Sequence, residues 1–524
     1  MPYKNIGGFC LNILSVTFWI FWIVFLFFVL YKKGLNGKTV SELGRTDLLK
    51  IGLFIAVFCI VCIIPMSFVP CYNGVDPGHH DQYERIAESF VNGHLYFDYD
   101  VDPVLLSLDN PYDLADRYES GASYHWDHAF YNGKYYMYFG VVPVILLFVP
   151  FRLLTGASLT GYHATQLFVV LFIVALFLFV YEFLKKFRPD FNAGLFLYLT
   201  SGLSLASVNN CIEAPALYNT AVSSGICFAM WSIYFFLKSV IFDDEIRFRY
   251  LIAASLCGAL VFGCRPNIGV ISLILIPVLS MIVKKYTNGE IKGKKLFISM
   301  LSIFGPYLVI GILLMVYNYV RFDSVFEFGQ SYQLTDTDQH LYYDFLGSFD
   351  PKKFIVCFIY EFIMAPKNLV GFKAPGAGGL LTTFPVVWPF TIVLILYLVE
   401  KIKGKFSKQK TDGSDNGLGK SQKTHLRSVL ISLIVAFMLI LVTDILMSPY
   451  PLTDRYKGDV YFLFAIFYVA LICYNYDRIK KIHYLFNVLF VLTVFMCFIL
   501  YLTGESNYWY FFPDKVDSIL NTIF

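Results

Sequence analysis

Apolar residues run along this chain in long unbroken blocks separated by polar connections. They show neither the alternation of a half-buried strand nor the one-sided stripe of a surface helix. The blocks lie at about 10–31, 50–69, 162–184, 191–208, 217–238, 250–264, 267–283, 296–320, 380–400, 428–447, 459–475 and 484–502. Most approach the roughly 20 residues that a helix needs to cross a bilayer core. The pattern predicts an all-α polytopic membrane protein with about 12 transmembrane helices (11–13). The first block is not read as a cleaved signal peptide, because only Lys4 precedes it and no small-residue cleavage site follows.

The polar connections orient these helices. Of the 41 lysines and arginines, 27 fall in the connections 32–50, 185–190, 238–249, 284–295, 401–427 and 478–481. Cytoplasmic loops carry such an excess, so both termini are expected outside. That parity decides an ambiguous segment. Tyr136–Gly156 is apolar enough to span, yet a crossing there would invert every later loop. With Pro143, Pro150 and Arg152 inside it, it is expected to be re-entrant or to lie along the surface. Phe354–Ala365 is too short to span and is expected at the outer interface. The stretch 250–283 reads as two short spans turning at Arg265-Pro266-Asn267.

The resulting organisation is N-terminal spans (1–69), a first outer loop (70–161) with an interfacial helix at 136–156, a helical core (162–320), a second outer loop (321–380), and C-terminal helices (381–524) with a cytoplasmic linker at 401–427. Composition agrees: 57% of the 524 residues are hydrophobic, 15% are charged, and mean hydropathy is +0.61. A soluble domain carries about a quarter charged residues. The net charge of +3 argues against nucleic acid as a partner. The cysteines, mostly inside apolar blocks, read as core residues and not as a disulfide framework.

Candidate chemistry gathers in the outer loops. The stretch 70–135 holds twelve acids and five of the nine histidines, with too many aromatics to be disordered. Within it, Asp81 precedes Tyr83, Ile86, Ala87 and Phe90 at helical spacing. It reads either as an N-cap or as a carboxylate base at the membrane surface. Asp76, His79, His80 and Asp81 offer oxygen and nitrogen ligands for a divalent cation, but meet no standard ligand spacing. No metal site or required cofactor is therefore assigned.

Asp81, Tyr83, Ala87 and Gly93, then Tyr131-Asn132-Gly133-Lys134-Tyr135-Tyr136, Pro143 and Gly156, together resemble the integral-membrane GT-C glycosyltransferases, nearest the protein O-mannosyltransferase and aminoarabinose-transferase branches. The likeness extends to the hairpin around Arg265, to Tyr317–Phe322 and to Asp454-Arg455-Tyr456. It covers most of the chain as architecture, on short motifs. In that family the acid usually stands four residues before the tyrosine, a place held here by His79. Asp81 and Asp127, in Trp126-Asp127-His128, are therefore both candidate catalytic bases.

The resemblance implies a bacterial plasma-membrane enzyme that moves a sugar from a polyprenyl-phosphate donor to an acceptor on the outer face, with inversion. Arg455, Arg321 and Arg265 are its candidate phosphate ligands, since a guanidinium fork matches phosphate oxygens. Each equally suits snorkelling or a local ion pair. Tyr83, His80, Lys134 and Tyr456 complete the candidate substrate-binding set. Membrane lipid is the other expected partner, and the sequence assigns no oligomeric state. A transporter or flippase of a lipid-linked or polar solute is the main alternative, and a non-catalytic assembly protein is the third. No half-to-half symmetry supports the transporter.

Overall fold

The computed structural model describes residues 35–64, 66, 81–215, 217–243, 245–340, 350–363, 378–395, 399, 420–447 and 454–503. The apolar blocks form helices because a backbone in lipid must satisfy its hydrogen bonds internally. Among the described residues, nine helices are long and apolar enough to cross a membrane. In chain order the helices used below are α1 (Arg45–Ile63), α2 (Gln82–Val91), α3 (Val144–Thr155), α4 (Gly161–Phe187), α5 (Ala193–Glu213), α6 (Leu217–Phe242), α7 (Phe248–Phe262), α8 (Pro266–Thr287), α9 (Gly293–Phe322), α10 (Pro351–Phe362), α11 (Pro385–Ile395), α12 (Lys420–Met447), α13 (Lys457–Tyr474) and α14 (His483–Thr503).

One expected span is shorter than a crossing: the block 250–264 forms α7, of 15 residues. Of the block 380–400, the described residues hold the short helix Leu380–Thr383 and α11, and part of the block lies outside the described residues. The expected span 10–31 lies outside the described residues. α8 opens with nine residues of 3-10 helix, Pro266–Ile274, well beyond the three or four residues usual for that geometry.

α5 is the central helix: 94% of its apolar stretch is buried, against 17% for the peripheral α9. Its sequence explains this. Ser201, Gly202, Ser204, Ala206 and Ser207 are small enough for close helix contact. The hydroxyls of Thr200, Ser204 and Ser207 donate to carbonyls one turn back at 2.7–2.8 Å, so none is stranded in the core. α5 packs on α13 and α14, while α6 packs between α4 and α7. Cys59, Cys62, Cys264 and Cys497 are buried in this core.

One end of the bundle carries a folded cap built from 81–156 and 321–340. Its centre is a hairpin of β1 (Ala129–Tyr131) and β2 (Lys134–Tyr136). Asn132 and Gly133 have φ of 48° and 69°, the double left-handed turn that matches strand twist. The second loop adds an extended edge. Asp127 N–H donates to Leu334 O, Phe130 N–H to Tyr332 O and Leu334 N–H to His128 O, at 2.8–3.0 Å. Several of the loop's acids are consumed locally. Asp113 caps the short helix Leu114–Ser120, and Asp102 caps Pro103–Ser107 while accepting from Ser123 N–H.

α3 spans twelve residues, about 18 Å at 1.5 Å per residue, too short to cross. It follows Pro143 as a π turn and stops at Gly156, whose φ is 71°. Leu153 and Leu154 project outward from it. Phe148 on its inner side stacks on Tyr83 of α2, ring centres 5.3 Å apart.

Candidate active site

Asp127 stands on the turn that leads into β1, with φ of 60°, a left-handed conformation that few residues other than glycine adopt without a compensating contact. Here its N–H is fixed by Leu334 and its carbonyl accepts from Gln82 Nε2 at 3.1 Å. These bonds turn the carboxylate inward, and the residue is 6% exposed. Tyr138, just beyond β2, donates to Oδ1 at 3.0 Å, and Tyr218, from the first turn of α6, donates to Oδ2.

Arg455 enters from a fourth element, the 3-10 turn Asp454–Tyr456 that leads into α13. Its guanidinium lies 4.1 Å over the ring of Tyr218, and its charge acts on Asp127. Burial pushes the Asp127 carboxyl above the usual carboxylate range, against the opposing pull of Tyr218, Arg455 and Tyr138. The fold therefore assembles one predicted base and one predicted phosphate arginine on two tyrosines that the sequence reading did not single out.

Arg265 occupies the mouth of α8. Its Nε lies 2.7 Å from both oxygens of Asp459 on α13, and a terminal nitrogen lies 2.6 Å from Oδ2. Asn267 Nδ2 donates to Asp459 Oδ2 at 2.9 Å and to Asp444 Oδ1 of α12 at 2.7 Å. The ring of Tyr456 lies between the two arginines, 5.4 Å from Arg265 and 5.3 Å from Arg455. Gly140 holds the cap against this mouth. A Cβ there would overlap the carbonyls of Gly263 and Cys264, and two residues on Val142 N–H donates to Gly263 O at 2.8 Å.

The remaining predicted residues sit elsewhere. Asp81 begins α2 but makes no side-chain cap. It pairs instead with Arg85 at 2.6 Å and is 38% exposed at its side chain. Arg321 is buried at the end of α9 and donates to Met137 O at 2.7 Å and to Asn318 Oδ1 at 2.9 Å. Its guanidinium also covers the ring of Tyr317 at 3.7 Å. Lys134 is exposed and rests over Tyr96 at 4.2 Å. Tyr83 is fully buried, and its hydroxyl has no hydrogen-bond partner among the described residues. His80 lies outside the described residues, as do Asp76 and His79. Among the described residues no group of three or more His, Cys, Asp or Glu is arranged to hold a metal ion.

Tyr138 carried a weak signal, standing in the aromatic run after the Asn-Gly turn. Tyr218 carried none, because only the fold brings it across 91 positions to Asp127. Asp444 and Asp459 could have been flagged as acids within or at the edge of apolar spans, which are costly unless they serve a purpose. The chain matches no known protein family, no curated protein and no solved structure.

Proposed function

We propose that this protein is a membrane glycosyltransferase that moves a sugar from a polyprenyl-phosphate donor to an acceptor hydroxyl at the cap. Asp127 is its general base and Arg455 its leaving-group arginine. The cap is taken as the outer face, from the lysine and arginine bias of the loops, and the membrane as the bacterial plasma membrane that the resemblance implies. The observation that carries the reading is the buried Asp127 carboxylate placed with Arg455 around Tyr218.

The chemistry follows from that arrangement. Asp127 accepts the proton of the acceptor hydroxyl as its oxygen attacks the anomeric carbon. The bond to the lipid phosphate breaks on the opposite side, which inverts the configuration. A carboxylate offers about four lone-pair positions. Tyr138 and Tyr218 take two and fix its plane, leaving others for the incoming hydroxyl. Burial raises the affinity of Asp127 for a proton, which suits a base working near neutral pH. The phosphate leaves with the bonding pair, and a fixed guanidinium stabilises the charge that develops there.

The test is incubation of the purified protein with a polyprenyl-phosphate sugar, following release of free polyprenyl phosphate. Turnover that disappears in Asp127→Asn supports the reading. Intact donor after long incubation with a range of hydroxyl acceptors overturns it.

A multi-span transporter is the second reading, favoured by the Arg265–Asp459–Asn267–Asp444 cluster and by the 3-10 opening of α8. Ionised side chains within spans and broken helices mark substrate paths in transporters. Uptake of an unmodified solute or lipid-linked sugar into vesicles carrying the protein would favour it over transfer.

A further inference from the structure

The second polar cluster has charge left over. Arg265 and Asp459 are matched one to one, closed by three contacts of 2.6–2.7 Å. Asp444 has no such partner. Its Oδ1 accepts from the neutral amide of Asn267, and its Oδ2 is buried without a hydrogen-bond partner among the described residues. The residue is 3% exposed, within a helix otherwise suited to lipid.

The groups acting on Asp444 from its neighbours are Asp459 on α13, Arg265 at the mouth of α8 and Glu361 on α10. Lys457, in the first turn of α13, is directed to Gly378 O and the ring of Tyr360. Lys238, on the part of α6 that reaches α12, is held by Glu182 at 2.6 Å. On α8, Lys284 and Lys285 act on His425, near the other end of α12. Among the described residues, then, Asp444 touches no cation; the charges that bear on it are two other carboxyl groups and Arg265, which is already paired with Asp459.

A lone ionised carboxylate in such a place is strongly disfavoured. A proton removes the charge with no added ligand, whereas a metal ion needs several oxygens and no suitable group of acids is present among the described residues. We propose that Asp444 is a proton-binding site, a neutral carboxylic acid in the resting protein whose proton is carried on Oδ2. Losing that proton would place a second negative charge beside the Arg265–Asp459 pair. Arg265 also faces Tyr456, the ring it shares with Arg455. Proton occupancy thus sets the charge felt at the inner edge of the candidate active site. The proposal stands under either reading of function.

The experiment is an infrared difference spectrum of the full-length protein in lipid nanodiscs at neutral pH, parent minus Asp444→Asn. The expected result is a carbonyl stretch of a protonated carboxylic acid, present in the parent and lost in the variant. No such band in the difference overturns the proposal. If Asp444→Asn fails to fold, the parent alone decides. Dicyclohexylcarbodiimide, which needs a protonated carboxyl in apolar surroundings, should label the peptide carrying Asp444 at neutral pH and stop doing so as pH rises. Absence of label together with absence of a pH-dependent carboxylic-acid band, or protection by sodium but not by choline, would overturn a proton as the occupant.

Discussion

Arg321 and Arg455 stand in like places, each where a helix of the bundle meets the cap, yet they end in different company. Arg321 has its donors spent on the backbone carbonyls of Met137 and Tyr317 and on an asparagine oxygen, all neutral and all structural. Arg455 lies on the face of a tyrosine that donates to a buried carboxylate. The first arrangement fastens Met137, the residue after β2, to α9. The second keeps a positive charge near a buried carboxylate. Sequence position alone does not separate them; what separates them is whether the guanidinium is spent on neutral backbone and amide oxygens or lies near a buried carboxylate.

The largest expected effect tests the active half of this contrast. Asp127→Asn keeps the size of the side chain and one oxygen for the tyrosines, but accepts no proton at neutral pH. Turnover should fall by about 10²–10⁴-fold, the usual worth of a general base, with little change in thermal stability. Asp81→Asn, which only breaks an exposed pair with Arg85, should turn over like the parent. A reversed ranking in donor-release assays would move the base to α2.

Arg455→Ala and Arg455→Lys come next. On the proposed role of Arg455 at the departing phosphate, both changes should lower kcat at saturating donor, by about 10–10²-fold, beyond any rise in KM. A lysine cannot reproduce the planar fork. Equal kcat in all three proteins would reduce Arg455 to an interfacial anchor and erase its difference from Arg321.

Arg321→Met probes the structural half. The apolar stem is kept, while Met137 O and Asn318 Oδ1 lose a buried donor. Stability should drop by about 2–3 kcal/mol, read from thermal unfolding in detergent. The kcat of the folded fraction should be unchanged. A selective loss of kcat at full stability would show that Arg321 is the phosphate ligand.

Much of the fold was legible because lipid imposes one demand on every crossing segment, and hydropathy records it directly. The expectation for Tyr136–Gly156 rested on loop charge, whereas what the structure adds is a separate fact, the twelve-residue length of α3. The hairpin was missed although Asn132-Gly133 is a strong local signal, because its strands are only three residues long. The site was legible in part. Asp127 and Arg455 could be named from their setting in loops, but their meeting depends on Tyr218, which comes from another helix. The cap reading of Asp81 did not survive either, because an arginine one turn on competes for its carboxylate.

Glu84 is an intermediate case between those two arginines, and it gives the smallest predicted effect. On α2 it reaches the start of α4, where Oε1 accepts from Gly161 N–H at 2.6 Å, while Oε2 is buried without a partner among the described residues. Part of the residue remains exposed, but the carboxyl does not. Burial pushes its pKa from 4.5 to about 7, against the lowering effect of its backbone hydrogen bonds, including that from Gly161. The sign is that of a carboxyl with a raised folded-state value: the native protein binds more protons than the unfolded chain between these limits. The stabilising contribution is complete below about 4.5 and is lost as pH rises through about 7. Discounted for its exposed part, the change is on the order of 1–2 kcal/mol. Glu84→Gln keeps the acceptor for Gly161 and removes the titration. Its unfolding temperature should therefore fall less than the parent's between pH 5 and pH 8 (about the window set by the two values). Parallel pH curves for parent and Glu84→Gln would mean that Glu84 stays ionised and, like Arg321, has all its charge satisfied by the cap.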